Sequence, residues 1–257
     1  MTSHAVTHIT SRDNALLKDL RRLTQDATAY RRQGRVWLEG DHLCRAALAR
    51  GFKPALALFC ESAWPAFSGD YGRTGAKNIV VADPLWAGIS ALESPARMGF
   101  VLELPVTPAI EPLAASVILD RVQDAGNVGS ILRSAAAFGF TQVIALKGTA
   151  ALWSPKVLRA GMGAHFALTL VEGVEPSALD MLAVPVIVTS SHQGELVQRQ
   201  KLPWPCAWAL GHEGQGVSDT LAGMASLAVR IGQPGGEESL NVAAAAAICL
   251  HASAAGR

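Results

Sequence analysis

VILDRVQDAGNVGSILRSAAAFGFTQVIAL, residues 117–146, sets two apolar runs on either side of a stretch with helical periodicity. VILD and QVIAL are short and rich in β-branched or aliphatic side chains, which suits strands buried on both faces. Between them Val128, Ile131, Leu132, Ala135 and Phe138 recur at helical intervals, and Asn127 stands where its side chain can cap the helix. A strand, a helix and a second buried strand form one unit of a parallel α/β sheet.

The alternation continues downstream, through a helix around PKVLRAGM, the strand FALTLV, a helix near 176–183, the strands PVIVTS and CAWALG, a helix from Ser218, the strand LAVRIG and a final alanine-rich helix. Upstream, ITSRDNALLKDLRRL predicts a basic amphipathic helix with Ser11 or Asp13 as its cap and Leu16, Leu17, Leu20 and Leu23 on its apolar side. The strand VWLEG, a helix over 41–50, the strand ALALF, a surface loop over 62–76, the strand NIVVA, the helical DPLWAGISAL and the strand GFVLEL follow. PVTPAIEP, residues 105–112, carries three prolines and reads as a linker. The expected organisation is a smaller α/β domain over 1–104, that linker, and a parallel α/β domain over 113–257.

With 257 residues, half of them hydrophobic, the chain can bury a sizeable core. Lysine and arginine number 22 against 21 acids, so net charge alone announces no polyanionic partner. The distribution says more, because residues 1–53 hold ten basic side chains and five acidic ones. The four cysteines form no CxxC pair, which argues against zinc and disulfides, and His4 and His8, in a polar N-terminal tail, are not read as metal ligands. No metal is expected. Without an apolar leader or a run near the ~18 residues of a membrane span, the sequence reads as a soluble cytoplasmic protein with no membrane contact.

In an open parallel sheet ligands sit at the carboxyl ends of the strands, so the loops after VILD, CAWAL and LAVRI are the places to look for chemistry. The first, DRVQDAGN, leads to Arg133, off the apolar stripe of its helix. The second, GHEGQGVS, has three glycines around one ionised residue, Glu213, and lacks the dinucleotide fingerprint of an ordinary oxidoreductase. The third, IGQPGGEESLN, offers Ser239 or Asn241 as the cap of the alanine-rich helix and has more polar residues than a cap requires.

Taken together, DAGNVGSILRSAAAFG, LGHEGQGVS and IGQPGGEESLNVAAAAA resemble, in order, the three motifs of the SpoU (TrmH-like) RNA ribose 2′-O-methyltransferases of the SPOUT superfamily. SPKVLRAGMGAHF is similar to the segment between the family's first two motifs, and ITSRDNALLKDLRRL with RRQGRVWLEGDHL resembles an L30e-like substrate-binding domain. The resemblance implies a C-terminal sheet tied in a trefoil knot, homodimerisation through that domain, S-adenosylmethionine as cofactor and RNA as substrate, ribosomal RNA favoured over transfer RNA. A catalytically silent RNA-binding protein of the same fold is the rival reading. By the same resemblance Arg133 is placed at the target 2′-hydroxyl, Asn127 and Glu213 hold it and the loop geometry, and Ser239 and Asn241 hydrogen-bond within the knot and to substrate. Thr189, Gly211, Ile231 and Leu240 surround the cofactor. RNA contacts are expected from Arg12, Asn14, Lys18, Arg21, Arg22, Arg31, Arg32 and Arg35. The chain departs from the family pattern at Gly161, His212, Gly232, Gln233 and Ala243.

Overall fold

The computed structural model describes residues 6–90, 92–104, 108–190, 194–235 and 239–256. In chain order its strands are β1 (Val6–Ile9), β2 (Arg35–Glu39), β3 (Leu56–Cys60), β4 (Lys77–Val81), β5 (Met98–Glu103), β6 (Ser116–Leu119), β7 (Gln142–Leu146), β8 (Thr169–Val174), β9 (Val186–Thr189), β10 (Glu195–Leu196), β11 (Ala207–Leu210) and β12 (Leu227–Arg230). The α-helices are α1 (Ala15–Gln25), α2 (Ala29–Gln33), α3 (Asp41–Ala49), α4 (Trp64–Tyr71), α5 (Asp83–Trp86), α6 (Ala125–Ala137), α7 (Pro155–Gly161), α8 (Asp219–Met224) and α9 (Val242–Ala255). Two compact units result, one of residues 1–106 with 153–166, the other of 107–152 with 167–257.

In the first unit the strand order is β1-β4-β3-β5-β2, with β1, β4 and β3 parallel and β5 antiparallel to both β3 and β2. Leu17, Leu20 and Leu23 are the buried stripe of α1. Its cap is Asn14, whose side-chain oxygen accepts from Leu16 N at 2.9 Å, rather than Ser11 or Asp13. Ser11 instead serves the N–H of Asp13. Two further expectations fail here. His8 lies in β1, paired with Val80, not in a tail, because a four-residue strand can add to an existing edge with little apolar content of its own; His4 lies outside the described residues. The expected loop over 62–76 contains α4, because Trp64, Phe67 and Tyr71 repeat at helical spacing and stack on Phe59 and Phe100, with Trp64 4.9 Å from Phe59 and Tyr71 5.6 Å from Phe100. The Gly, Ser and Pro content hid that pattern. In the same unit, a Cβ on Gly161 would lie 2.5 Å from the buried His165 ring, so the departure to glycine at 161 follows from the histidine four residues on.

The second unit is built on a wholly parallel seven-stranded sheet, β10-β12-β9-β11-β6-β7-β8. Ile118, Ile144, Val171, Val188 and Ala209 are among the residues of its core. The expected helix near 176–183 is a 3-10 helix, Pro176–Met181. Helix α9 is apolar apart from His251 and Ser253 and packs on α6 and β11, and its Ser253 hydroxyl accepts from Trp208 Nε1 at 2.9 Å. Small alanine side chains allow the close approach that this packing needs. Among the described residues no helix is long and apolar enough to cross a membrane.

Candidate active site

Register places four strand ends side by side. Leu210 of β11 pairs with Leu119 of β6, Ala209 with Val188 of β9, and Thr189 with Val229 of β12. The loops that begin at Asp120, Ser190, Gly211 and Ile231 therefore leave the sheet at one edge.

Two residues at the first of these exits were not singled out in the sequence. Asp120 is 2% exposed, and its carboxylate accepts from Ser218 N at 2.6 Å and from Arg121 Nε at 3.0 Å. Burial pushes this carboxyl up, and the Arg121 and Ser218 hydrogen bonds outweigh it, so the net shift is downward and the group stays ionised. Arg121 has φ of 59°, a left-handed conformation uncommon outside glycine, with its N–H on Thr149 Oγ1. That turn lets its guanidinium grip Asp120 while Nη1 reaches Gln215 Oε1 at 2.9 Å, tying the first loop to the second. The legible signal was a carboxylate closing an otherwise apolar strand.

Asp124, not Asn127, caps α6, through a 2.7 Å bond from Asn127 N to Asp124 Oδ1. The Asn127 side chain is thereby freed for a longer connection. Asn241 caps α9, its Oδ1 accepting from Ala243 N at 2.9 Å and Ala244 N at 3.2 Å. With that oxygen committed to donors, its Nδ2 must donate, and it does so to Asn127 Oδ1 at 2.9 Å. The Asn127 Nδ2 then donates to Glu213 Oε1 at 3.2 Å. Glu213 also takes Asp124 N at 3.1 Å and Gln123 N at 3.3 Å. Three loops far apart in sequence are thus joined by one directed chain of hydrogen bonds. Burial pushes the Glu213 carboxyl up, but its own backbone N–H, Asn127 and the two loop N–H groups hold it below the usual carboxylate range.

Beside this chain lies a cleft of about 1340 Å³, whose lining includes Thr189, Gly211, Ile231, Ser239 and Leu240. Its wall at Gly211 has no room for a side chain, since a Cβ there would lie 2.0 Å from Gly216 C and 2.1 Å from Val217 N. Gly232 and Gln233 also line it, and the Gln233 Oε1 is buried without a partner among the described residues. Arg133 stands apart. It is exposed on α6, six residues beyond Asn127, does not line the cleft, and has no hydrogen bond or ion pair among the described residues. Nor do any three His, Cys, Asp or Glu side chains gather as a metal site among them.

The residues expected to contact RNA all lie in the first unit. Asn14 is occupied as the cap of α1. Lys18 pairs with Asp13 at 3.3 Å, Arg22 with Asp19 at 3.5 Å and Arg32 with Asp26 at 2.5 Å. Arg31 lies over the Tyr30 ring, Arg21 bonds the carbonyl of Arg12, and Arg35 is half-buried at the start of β2. Exposed ion pairs of this kind are worth roughly 0–1 kcal/mol, so a phosphate can displace the carboxylate at small cost.

Three similarities bear on this geometry. The chain is 31% identical over 223 residues, 83% of its length and 86% of the relative's, to the 23S rRNA (guanosine(2553)-2′-O)-methyltransferase RlmP of Bacillus subtilis. It is 36% identical over 158 residues to the mitochondrial rRNA methyltransferase 3 of Mus musculus, covering 56% of this chain and 36% of that protein. The crystal structure of an AdoMet-bound rRNA methyltransferase from Sinorhizobium meliloti superposes with a TM-score of 0.82 at 28% identity, covering 96% of this chain and 97% of that one. The model of the SpoU rRNA Methylase family matches residues 114–251, which include all three polar loops, and the chain belongs to that family.

Proposed function

We propose that the chain transfers a methyl group from S-adenosylmethionine to the 2′-hydroxyl of a ribose in structured RNA, ribosomal RNA before transfer RNA. The observation that carries this reading is the chain from Asn241 through Asn127 to Glu213, set at the strand ends beside the cleft. The cleft fits the cofactor in chemistry as well as place. Its wall around Gly211 and Gly232 is mostly backbone, suited to holding an adenine and an amino-acid tail, and Thr189, Ile231 and Leu240 complete it. When bound, the cofactor supplies an electrophilic methyl group on a sulfonium.

The residues of the chain orient the acceptor. Glu213, fixed by three N–H donors, holds Asn127, and Asn127 holds Asn241, so the three loops keep one geometry as substrate arrives. Ser239 is exposed at the cleft and, in this reading, would hydrogen-bond the ribose. Arg133 lies outside the cleft lining, and the role that the resemblance gives it is on the RNA side: it would position the ribose and its phosphate and stabilise the alkoxide that develops as the hydroxyl attacks. An ordinary guanidinium is a poor base, and the role assigned here is electrostatic. Arg133→Ala is expected to lower methyl transfer at least about 10²-fold, the effect of removing one preorganised donor, with cofactor affinity in titration calorimetry changed less than threefold. Unchanged turnover would remove Arg133 from the site.

The first unit, read as an L30e-like domain, would bring the RNA through its basic side chains. The trefoil-knot reading is supported by β12, the last strand in sequence, which sits inside the sheet between β10 and β9. A homodimer through this domain is supported by α9, where Ala244, Ile248, His251 and Ala255 form an exposed stripe at helical spacing. A cytoplasmic setting suits an RNA substrate and four buried cysteines that form no disulfide with one another. The deciding experiment is a ribose-methylation map of total RNA from cells with and without the gene, read by resistance to alkaline cleavage. One lost mark in ribosomal RNA is expected. A lost mark in transfer RNA would change the substrate, and none, with the gene expressed, would end the reading.

A further inference from the structure

His212 is the residue of the cleft whose chemistry is left unused by the backbone wall and by the chain through Glu213. It lines the cleft at the carboxyl end of β11, and its backbone exchanges two hydrogen bonds with Gly216, of 3.0 and 2.8 Å, closing a tight turn. Its Nδ1 accepts from Gly214 N at 3.0 Å. A neutral imidazole that accepts through Nδ1 carries its proton on Nε2. The turn therefore selects the tautomer and leaves Nε2–H as a donor with no partner among the described residues. The four residues that follow, Glu213 to Gly216, are all exposed, so the turn stands at the rim of the cleft, open to solvent.

From this geometry we infer that His212 is a substrate-binding residue: its Nε2–H donates to an oxygen of the RNA at or next to the target nucleotide. The inference rests on the methyl-transfer reading and deepens it by placing one RNA contact within the second unit, on the same turn as Glu213. RNA, with phosphate, ribose and base oxygens along its length, supplies the acceptor such a donor needs, and one fixed donor beside the catalytic loops sets which nucleotide enters. The acceptor side of the imidazole serves the turn, so the ring does both jobs at once.

The two jobs are separable by substitution. Asparagine at 212 can accept from the N–H two residues on through Oδ1 and still donate through Nδ2. Aspartate can accept in the same way but, ionised, has nothing to donate. With ribosomal RNA from cells lacking the gene as substrate, His212→Asn is expected to keep KM for RNA within about threefold of wild type, whereas His212→Asp and His212→Ala raise it about tenfold or more, one lost hydrogen bond of about 1.4 kcal/mol. The cofactor Kd is expected to stay within threefold in all three, with thermal unfolding confirming the fold. An unchanged RNA KM in His212→Asp would refute the contact, and a cofactor Kd weakened as much as the RNA KM would assign the donor to the cofactor and refute it equally. RNA affinity measured by fluorescence anisotropy at fixed salt keeps this inference separate from the reaction. A wild-type chain that binds RNA through His212 yet transfers no methyl would sink the methyl-transfer reading alone, and equal RNA affinity in every variant would sink this inference alone.

Discussion

Gly211→Ala is expected to leave the chain without measurable S-adenosylmethionine binding in titration calorimetry and to lower its thermal midpoint by about 5 °C or more. The reason is space. The new Cβ would lie 2.0 and 2.1 Å from the main chain of Gly216 and Val217, which are backbone atoms and cannot rotate away as a side chain can. Ordinary overpacking costs about 1–3 kcal/mol, and for a chain of this size each kcal/mol moves the midpoint by roughly 2–4 °C. Relief requires the 211–217 turn to open, and that turn is a wall of the cleft. Gly214→Ala is the matched control, since its Cβ would come no nearer than 3.8 Å to the His212 ring. Equal cofactor affinity in the two variants would mean that the turn is not the cofactor wall.

Glu213→Gln is expected to reduce kcat/KM about 10²- to 10³-fold while changing cofactor affinity less than tenfold. The carboxylate accepts from Asn127 Nδ2 and from the N–H groups of Gln123 and Asp124. A glutamine keeps one acceptor oxygen and turns an NH₂ toward donors, so at least one of the three bonds becomes donor against donor. Asn127 and Asn241 then lose the anchor that fixes their orientation. The loss expected is of the size seen when one preorganised polar group is removed from an active site. The pH dependence has a definite sign. Glu213 is held below its usual range in the folded protein, so its contribution is fully present above the unfolded value near 4.3 and is lost as pH falls through the lower folded value. Wild-type activity should therefore show no acid limb from this residue above about pH 5, and the Glu213→Gln defect should be constant across neutral pH. A defect that appeared only in acid would contradict the role given to the carboxylate.

How much of this was legible in the sequence depended on how local each cause was. The α6 stripe and the buried strands on either side of it are set by side chains within one or two turns, and they are found where their periodicity puts them. Helix α4 is hidden in the sequence because its Gly, Ser and Pro content reads as loop and the packing of Tyr71 rests on Phe100, nearly thirty residues on. The choice between Asp124 and Asn127 as cap turned on Glu213, nearly ninety residues away, which claims the asparagine. Asp120 and Arg121 escaped notice for the same reason, since their partners Ser218 and Gln215 come from a different loop. Thr189, Gly211, Ile231 and Leu240 come together on one cleft, whereas Arg133 is set apart from it, a separation that no local pattern encodes. What the motifs conveyed was which loops matter, and what the structure added was which atoms bind them together.

Closure of Asn241 onto Asn127 spans 114 residues and brings the last polar loop to the first. On a translating ribosome this order has a cost in time, because α6 emerges with Asn127 facing nothing until Glu213 is made 86 residues later, and its second partner, Asn241, follows only 114 residues on. Contacts of such long separation form slowly. The cleft, whose lining runs to Val242 and Ala245, cannot exist on a chain released before that point. Retention of S-adenosylmethionine by this protein would then double as a mark that synthesis has passed Ala245, absent from every chain terminated before it however well its earlier strands had folded.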